Sequence, residues 1–590
     1  MYYKRYRNYN DNRTKMKTEI MKKRIAILGG GPSGLFMYKR LVESGKSNFE
    51  VDIYERKSTL GAGMPYSHEG ANDEHVTNVS DNETPGIVTS ISEWILTVPQ
   101  DLLARFNVDL DKFNEYKVLP RLLFGYYLAD QFKLLQQKGD EVGITTRVHY
   151  QTNVMDICYN EQGKEVWVET TTGKDKFDYV VICTGHNWPV RHEGKVKGYY
   201  DAPYPPSKLL LKLNHAVAIK GSSLTAIDAI RTLARENGSF NKDEDGNVSF
   251  QSHAESPDFK MIMHSRSGML PAVRFHLEDS HLNNDSLLTE DEIELHRKSN
   301  DGFLSLDFVF QKDFKEIFRE KDPDFYNRIK DLSIEDFVVE MMELRERLEP
   351  FQLLKAEYIQ AEKSIKRQES VYWKEMLAVL SFAMNHPAKY LSAEDMQRLQ
   401  KVLMPLISIV IAFVPQRSCT ELLALHQAGV LDIIPVGAES TVEPQNDGGI
   451  LYHFSDQDNN PKSVYYETFI DCVGQPHLSY ADFPFKSLLS QKAITPAKIK
   501  FKSKEIGHLA FSEGNNSIEK DSTGSYFLSV SGIAINDNFQ IIDQYGAYNE
   551  NLYIMAVPYI GGYNPDYSGL DFCEAASLRI LHSIQEIGIS

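Results

Sequence analysis

The hexapeptide Gly29-Gly30-Gly31-Pro32-Ser33-Gly34 has the glycine spacing that lets a main chain close on a pyrophosphate. It follows the apolar run "RIAIL" and opens the helical pattern "PSGLFMYKRLVESG", the context in which that spacing carries meaning. Gly29 permits a tight turn, Gly31 lets backbone approach the phosphates, and Gly34 permits close packing of helix on sheet. Pro32 and Ser33 begin a helix whose first N–H groups and positive dipole end suit anionic oxygens. Glu55 closes the next strand-like run, "FEVDIYE", where a carboxylate accepts hydrogen bonds from a ribose hydroxyl pair. The same carboxylate repels a 2′-phosphate, so this site is expected to hold FAD or NAD rather than NADP.

A second, weaker copy runs through "AVAIKGSSLTAIDAI" from Ala216 to Ile230. Gly221 retains the turn; Ser222 and Ser223 follow it, and Leu224 and Thr225 lead into the helix. Ser223 offers a hydroxyl to a phosphate where a glycine is usual, and Ala226 still packs closely. Alone, this stretch is equally well an ordinary buried strand and helix. The next strand, "FKMIMHSRSG", ends in Ser265 and Arg266 rather than an acid. A guanidinium grips a 2′-phosphate bidentately and a serine donates to it, which is the NADPH preference. Two unlike dinucleotide sites in one chain imply a flavoprotein in which NADPH reduces FAD.

The elements that must position these residues are α/β. The 590 residues are 42% hydrophobic and 25% charged, enough for two or three domains. We expect two Rossmann-like dinucleotide-binding domains with a mostly helical insertion. The FAD-binding domain takes 24–205 and 460–590, the NADPH-binding domain 206–302 and 426–459, and the insertion 303–425. Residues 1–23 read as a disordered basic tail, and Arg235 to Asp258 as a polar loop. A substrate lid, a homodimer surface and plain packing mass all stay open for the insertion.

The net charge of −18 (64 basic against 82 acidic side chains) repels nucleic acid and anionic membrane. Five scattered cysteines without a Cys-x-x-Cys pair suit reduced thiols in a cytoplasmic protein. The apolar run Leu403 to Phe413 contains Pro405 and is too short to span a bilayer. No Ser-His-Asp or metal-ligand pattern is legible, so metal chemistry is not expected.

The stretches "IAILGGGPSGL", "HVTNVSDNE", "LPRLLFGYYL", "FDYVVICTGH", "VAIKGSSLTAIDA", "HSRSGMLP" and "YSGLDFCEAA" together carry a resemblance. The chain resembles the two-dinucleotide-domain flavoproteins that include flavin monooxygenases and N-hydroxylating ornithine and lysine monooxygenases. Within that group it looks nearest to bacterial amine N-oxygenases of the aspartate-oxidising type. The resemblance implies that Thr184 and Gly185 mark the crossing between FAD and NADPH domains, and that the Val154 backbone meets the adenine. It places Asn78 near the isoalloxazine, Arg121 beside it as a cofactor or substrate contact, and Ser568, Gly569 and Leu570 at a helix start facing the flavin. The implied reaction is NADPH-driven reduction of FAD, addition of O2 at flavin C4a, and oxygenation of a small-molecule amine. His186 and Tyr204 read either as flavin-pocket residues or as structural ones. A flavin reductase without oxygenation and a flavin-binding redox sensor or scaffold are the rival readings.

Overall fold

The computed structural model describes residues 22–278, 287–566 and 568–587. The tail expected at 1–23 lies outside them except for its last two residues. Two parallel sheets organise the chain, each built from strands far apart in sequence. The first has the spatial order Gln540–Ile542, Tyr548–Ile554, Tyr179–Ile182, Lys23–Leu28, Phe49–Tyr54, Thr145–His149. Every neighbouring pair is parallel except the outermost, Gln540–Ile542 with Tyr548–Ile554. Ile25, Ala26, Ile27, Val51, Ile53, Val180 and Val181 are fully buried, as strands covered on both faces require. The helices Pro32–Glu43, Arg121–Glu141 and Gly569–Ile587 pack on this sheet.

The second sheet has the order Tyr199–Tyr200, Thr468–Asp471, Ala216–Lys220, Lys260–Ser265, Leu431–Pro435, parallel throughout. The helices Leu224–Asn237 and Gln416–Gln427 contribute Ile227, Ile230, Leu422 and Leu425 to its core. The fold is thus α/β with two dinucleotide-binding domains and a helical middle.

The boundaries differ from the sequence reading in three places. Thr468–Asp471 was expected in the first domain and instead pairs with Val217 to Lys220 at the centre of the second sheet. Tyr199–Tyr200, expected in the first domain as well, edges the same sheet. A parallel strand buried on both faces has the same apolar composition whichever sheet takes it, so composition could not assign these. The expected polar loop holds the end of helix Leu224–Asn237 and a hairpin, Gly238–Lys242 against Val248–Ser252. Phe240 and Phe250 meet edge to face across that hairpin at 5.0 Å, and a Cβ on Gly238 would stand 2.2 Å from the Phe250 ring.

Helices follow one another from Glu290–Ser299, ahead of the expected residue 303, to Gln416–Gln427. Their core gathers Phe310, Phe314, Phe318, Phe337 and Leu377, and it includes Ile499, Phe501 and Leu528 from the C-terminal part of the chain. The insertion is therefore fused to the region preceding the last helix. The apolar run near Leu403 forms the buried helix Met404–Val410. Among the described residues no helix is long and apolar enough to cross a membrane.

Candidate dinucleotide sites

The first glycine turn is folded tightly beneath the end of strand Tyr179–Ile182. Gly29 has φ +113°, and a Cβ there would lie 2.5 Å from the Cys183 carbonyl oxygen. A Cβ on Gly34 would lie 2.1 Å from the Gly29 carbonyl, so Gly34 packs the helix rather than facing a ligand. Gly31 opposes Gly63, whose Cα would be 3.1 Å from an added Cβ. Helix Pro32–Glu43 starts with proline, carries no acid in its first turn, and has no side-chain cap. Its first N–H groups are left to a ligand.

A cavity of about 420 Å³ opens over this turn. Of the sequence-predicted residues, Gly29, Gly31, Pro32, Ser33, Glu55, Val154, Thr184, Gly185, Ser568, Gly569 and Leu570 line it. Residues more than 500 positions apart are thus brought together around one space. Glu55 is oriented from both sides: Oε2 accepts from the Gly30 N–H at 2.8 Å and Oε1 from the Lys57 N–H at 2.9 Å. Each oxygen keeps a second lone pair for a ribose hydroxyl. The Thr184 hydroxyl is buried at the cavity wall without a hydrogen-bond partner among the described residues. A buried orphan of this kind calls for a polar ligand or water.

A second helix start faces the same space. Helix Gly569–Ile587 begins at Gly569, with φ +76°. Cys573 Sγ donates to the Gly569 carbonyl at 3.2 Å and lies 3.5 Å from Ser33 Oγ, which joins the two helix starts. Sequence reasoning passed over Cys573, Gly63, Lys57 and Tyr66, all of which line the cavity. The signal for Gly63 was the glycine-rich run after Leu60; the others carry none in a single sequence. The glycine cradle, Glu55, the orphaned Thr184 and the paired helix starts fit FAD.

Arg121 and Asn78 are not brought to this cavity. The Arg121 guanidinium donates from Nη1 to Asp228 Oδ2 at 2.5 Å and from Nε to the Val76 carbonyl at 3.2 Å. Asp228 belongs to helix Leu224–Asn237 of the second domain and also accepts from Tyr204 Oη at 2.8 Å. Arg121 therefore clamps one domain to the other, which is also the place of Tyr204. Burial works to raise the Asp228 carboxyl, but Arg121, then His75 and Tyr204, outweigh it and hold its pKa below the ordinary value. The Asn78 carbonyl accepts from Arg274, whose guanidinium also pairs with Glu83 across the same boundary. His186 does line the cavity; its Nδ1 lies 3.2 Å from Gln475 Oε1, and burial lowers its pKa.

The second turn repeats the first in register. The Gly29 N–H donates to the Tyr54 carbonyl at 2.9 Å, and the Gly221 N–H to the His264 carbonyl at 2.8 Å. Cys183 N–H reaches Leu28 at 2.9 Å, and Cys472 N–H reaches Lys220 at 2.9 Å. Gly221 has φ +108°, and a Cβ would stand 2.8 Å from the Cys472 carbonyl. Ser265 therefore occupies the place of Glu55, and Arg266 the place of Arg56.

The surroundings of this turn are more open. Ser223 is the exposed N-cap of helix Leu224–Asn237 and its hydroxyl caps nothing; Leu224 and Thr225 form a first turn without an acid. Ser222 Oγ instead donates to the Met269 carbonyl at 2.8 Å, so its proton is committed within the domain. Ser265 is buried, and Arg266 is exposed and makes no ion pair among the described residues. Among the described residues no group of three or more His, Cys, Asp or Glu side chains is placed to hold a metal ion.

Comparison with known proteins agrees with this layout. A FAD-NAD(P)-binding family model matches residues 26–187, and a YdhS-like middle domain model matches residues 289–411. The chain is 29% identical over 476 residues to the uncharacterized protein YdhS of Escherichia coli (strain K12), covering 80% of this chain and 86% of that one. It is 22% identical over 178 residues to dimethylaniline monooxygenase [N-oxide-forming] 2 of Macaca mulatta, 28% of each chain. Among solved structures, the ornithine N-hydroxylase of Kutzneria sp. 744 aligns over 96% of this chain and 100% of its own, at 12% identity and a TM-score of 0.46. The chain has the α/β fold of flavoproteins with two dinucleotide-binding domains, a FAD-NAD(P)-binding region at 26–187 and a helical middle domain.

Proposed function

We propose that the chain is a FAD-dependent, NADPH-consuming monooxygenase that N-oxygenates the amine of a small polar metabolite with O2. The observation that carries the cofactor part of this reading is the shared register of the two turns: an arginine follows in both, at Arg56 and Arg266, but the carboxylate of Glu55 is replaced by the hydroxyl of Ser265, which removes the charge that would repel a 2′-phosphate. Bound FAD would supply hydride acceptance and oxygen activation, chemistry that no side chain provides. Gly31, Ser33 and the first turn of helix Pro32–Glu43 would hold its pyrophosphate, and Glu55 its ribose. The start of helix Gly569–Ile587 puts a positive dipole end at the cavity, suited to the negative charge of a reduced ring system. Arg266 and Ser265 would hold the 2′-phosphate of NADPH. Arg121 and Asp228 fix how the domains carrying the two nucleotides face each other.

Amine oxygenation is supported by the N-oxide-forming relative over the part of the chain it matches. The sequence resemblance to aspartate-oxidising N-oxygenases puts aspartate first among substrates. One observation favours the rival reading, a reductase passing electrons to another acceptor: among the described residues Glu55 is the only carboxylate lining the cavity, with no second acid beside it to hold an ammonium group. The test is a panel of amino acids incubated with FAD-loaded protein, NADPH and air, scored for N-oxidised product. Product that tracks NADPH consumption supports oxygenation. Peroxide alone with every amine, together with acceptor-dependent NADPH turnover without oxygen, supports the reductase.

A further inference from the structure

A second, smaller cavity, of about 150 Å³, lies where three parts of the chain meet. Ser80 and the loop residues Tyr116 and Lys117 come from the first domain. Arg274 and His276 come from the segment after strand Lys260–Ser265, and Gln416 is the first residue of helix Gln416–Gln427. Its volume is about that of five waters, room for a small metabolite and not for a nucleotide.

Its wall is cationic in a chain whose net charge is −18. Among the described residues no Asp or Glu side chain lines it. Lys117 is exposed and makes no ion pair among the described residues. Glu115 lines a separate depression with Asp81 and Asn82, and Glu278 accepts from the Ser370 N–H at 3.4 Å. The Arg274 charge is matched by Glu83.

His276 is the built part of the site. Only 6% of it is exposed, its ring rests against Tyr116 at 4.6 Å, and its backbone N–H donates to Ser364 Oγ at 3.0 Å. Neither ring nitrogen has a hydrogen-bond partner among the described residues, although the residue lines the cavity. Burial, seconded by Arg274 and opposed by Glu278, holds the imidazole pKa below its ordinary value, so the neutral ring offers one N–H. A neutral imidazole and an ammonium that has no ion pair among the described residues, lining one polar space, suit a small anion.

The geometry points to this cavity as a binding site for a small carboxylate-bearing metabolite, held by Lys117 and His276 at the junction of both dinucleotide domains and the helical middle. It is separate from the cavity over Gly31 and does not depend on which reaction the protein performs. Succinate and its uncharged diamide are suitable probes, titrated calorimetrically into FAD-loaded full-length protein. Succinate is expected to bind and the diamide not to. Lys117→Ala, a surface change, is expected to weaken succinate about tenfold, the loss of one charge-assisted hydrogen bond. His276→Asn should weaken it similarly, and both variants should keep their FAD content. Succinate that competes with the amine in turnover marks a substrate subsite; succinate that alters the rate without competing marks an effector site. No succinate binding up to about 10 mM, well beyond the range of useful small-ligand affinity, overturns the proposal. Equal affinity in Lys117→Ala and the parent protein overturns it too.

Discussion

Glu55 and Ser265 occupy the same position in two copies of one turn, each following the residue whose carbonyl accepts from the turn glycine, at 2.9 Å for Gly29 and 2.8 Å for Gly221. The first copy places a carboxylate there and the second a hydroxyl, each followed by an arginine, Arg56 and Arg266. Substituting Ser265 by Glu would reproduce the first chemistry in the second site. We expect Ser265→Glu to shift preference from NADPH toward NADH, read from kcat/KM with each nucleotide. An unchanged ratio would mean that the 2′-phosphate is held elsewhere.

Arg266→Ala should raise the KM for NADPH about tenfold while leaving that for NADH within about twofold. One charge-assisted pair is worth about 1.5–3 kcal/mol, and exposure of Arg266 to salt places it at the low end. Equal effects on the two nucleotides would assign Arg266 to general attraction rather than to phosphate recognition.

Gly31 separates cofactor binding from folding. A Cβ there meets only Gly63, at 3.1 Å from its Cα, so Gly31→Ala is expected to fold with near-parental Tm and to retain far less FAD after gel filtration. Gly29→Ala, at φ +113° and 2.5 Å from the Cys183 carbonyl, should lose stability as well as FAD. Parental FAD content in Gly31→Ala would remove the backbone cradle from the account.

Arg121→Met should destabilise the protein by about 3 kcal/mol, because it leaves the Asp228 carboxylate buried without its partner. The double variant Arg121→Met with Asp228→Leu should recover much of that loss. The depressed pKa of Asp228 has a definite sign in stability: its contribution is present above the unfolded carboxyl value, near pH 4, and is lost as pH falls through the folded value. Chemical denaturation of the single and double variants at neutral pH decides this, additivity of the two changes being the contrary result.

Asp571 has the opposite sign. Burial, then Glu83 and Glu574, push its carboxyl up to about 7, and its Oδ1 has no partner. A raised carboxyl pKa costs stability as pH climbs from the unfolded value toward the folded one. Asp571→Asn should therefore raise the Tm at about pH 8, by an effect on the order of 2–3 kcal/mol, and leave it unchanged near pH 4. A gain of equal size at both values would point to packing instead of charge.

The first glycine turn and the carboxylate beside it were legible because their arrangement is local. Gly29, Gly31, Gly34 and Glu55 lie within one strand-turn-helix-strand unit, so spacing alone located them. In the second turn only Arg266 carries a signal, since Ser222 and Ser223 have no fixed meaning; Ser222 bonds inward to Met269. Arg121 was not legible as an interdomain clamp, because its partner stands 107 positions away and nothing at Asp228 marks it as buried. Thr468–Asp471 was placed in the wrong domain for a related reason: pairing partners of a doubly covered parallel strand are set by topology, not by its own residues. The hairpin from Gly238 escaped notice because Phe240, Val248 and Phe250 are few apolar anchors on otherwise polar strands.

The central claim is that one turn holds FAD while the other presents NADPH to it. Rapid anaerobic mixing of FAD-loaded protein with NADPH tests this most directly, by loss of the oxidised-flavin absorbance. Fast, saturable bleaching by NADPH is expected, with slower bleaching by NADH and loss of that difference in Arg266→Ala. Failure of NADPH to bleach protein-bound FAD would contradict it.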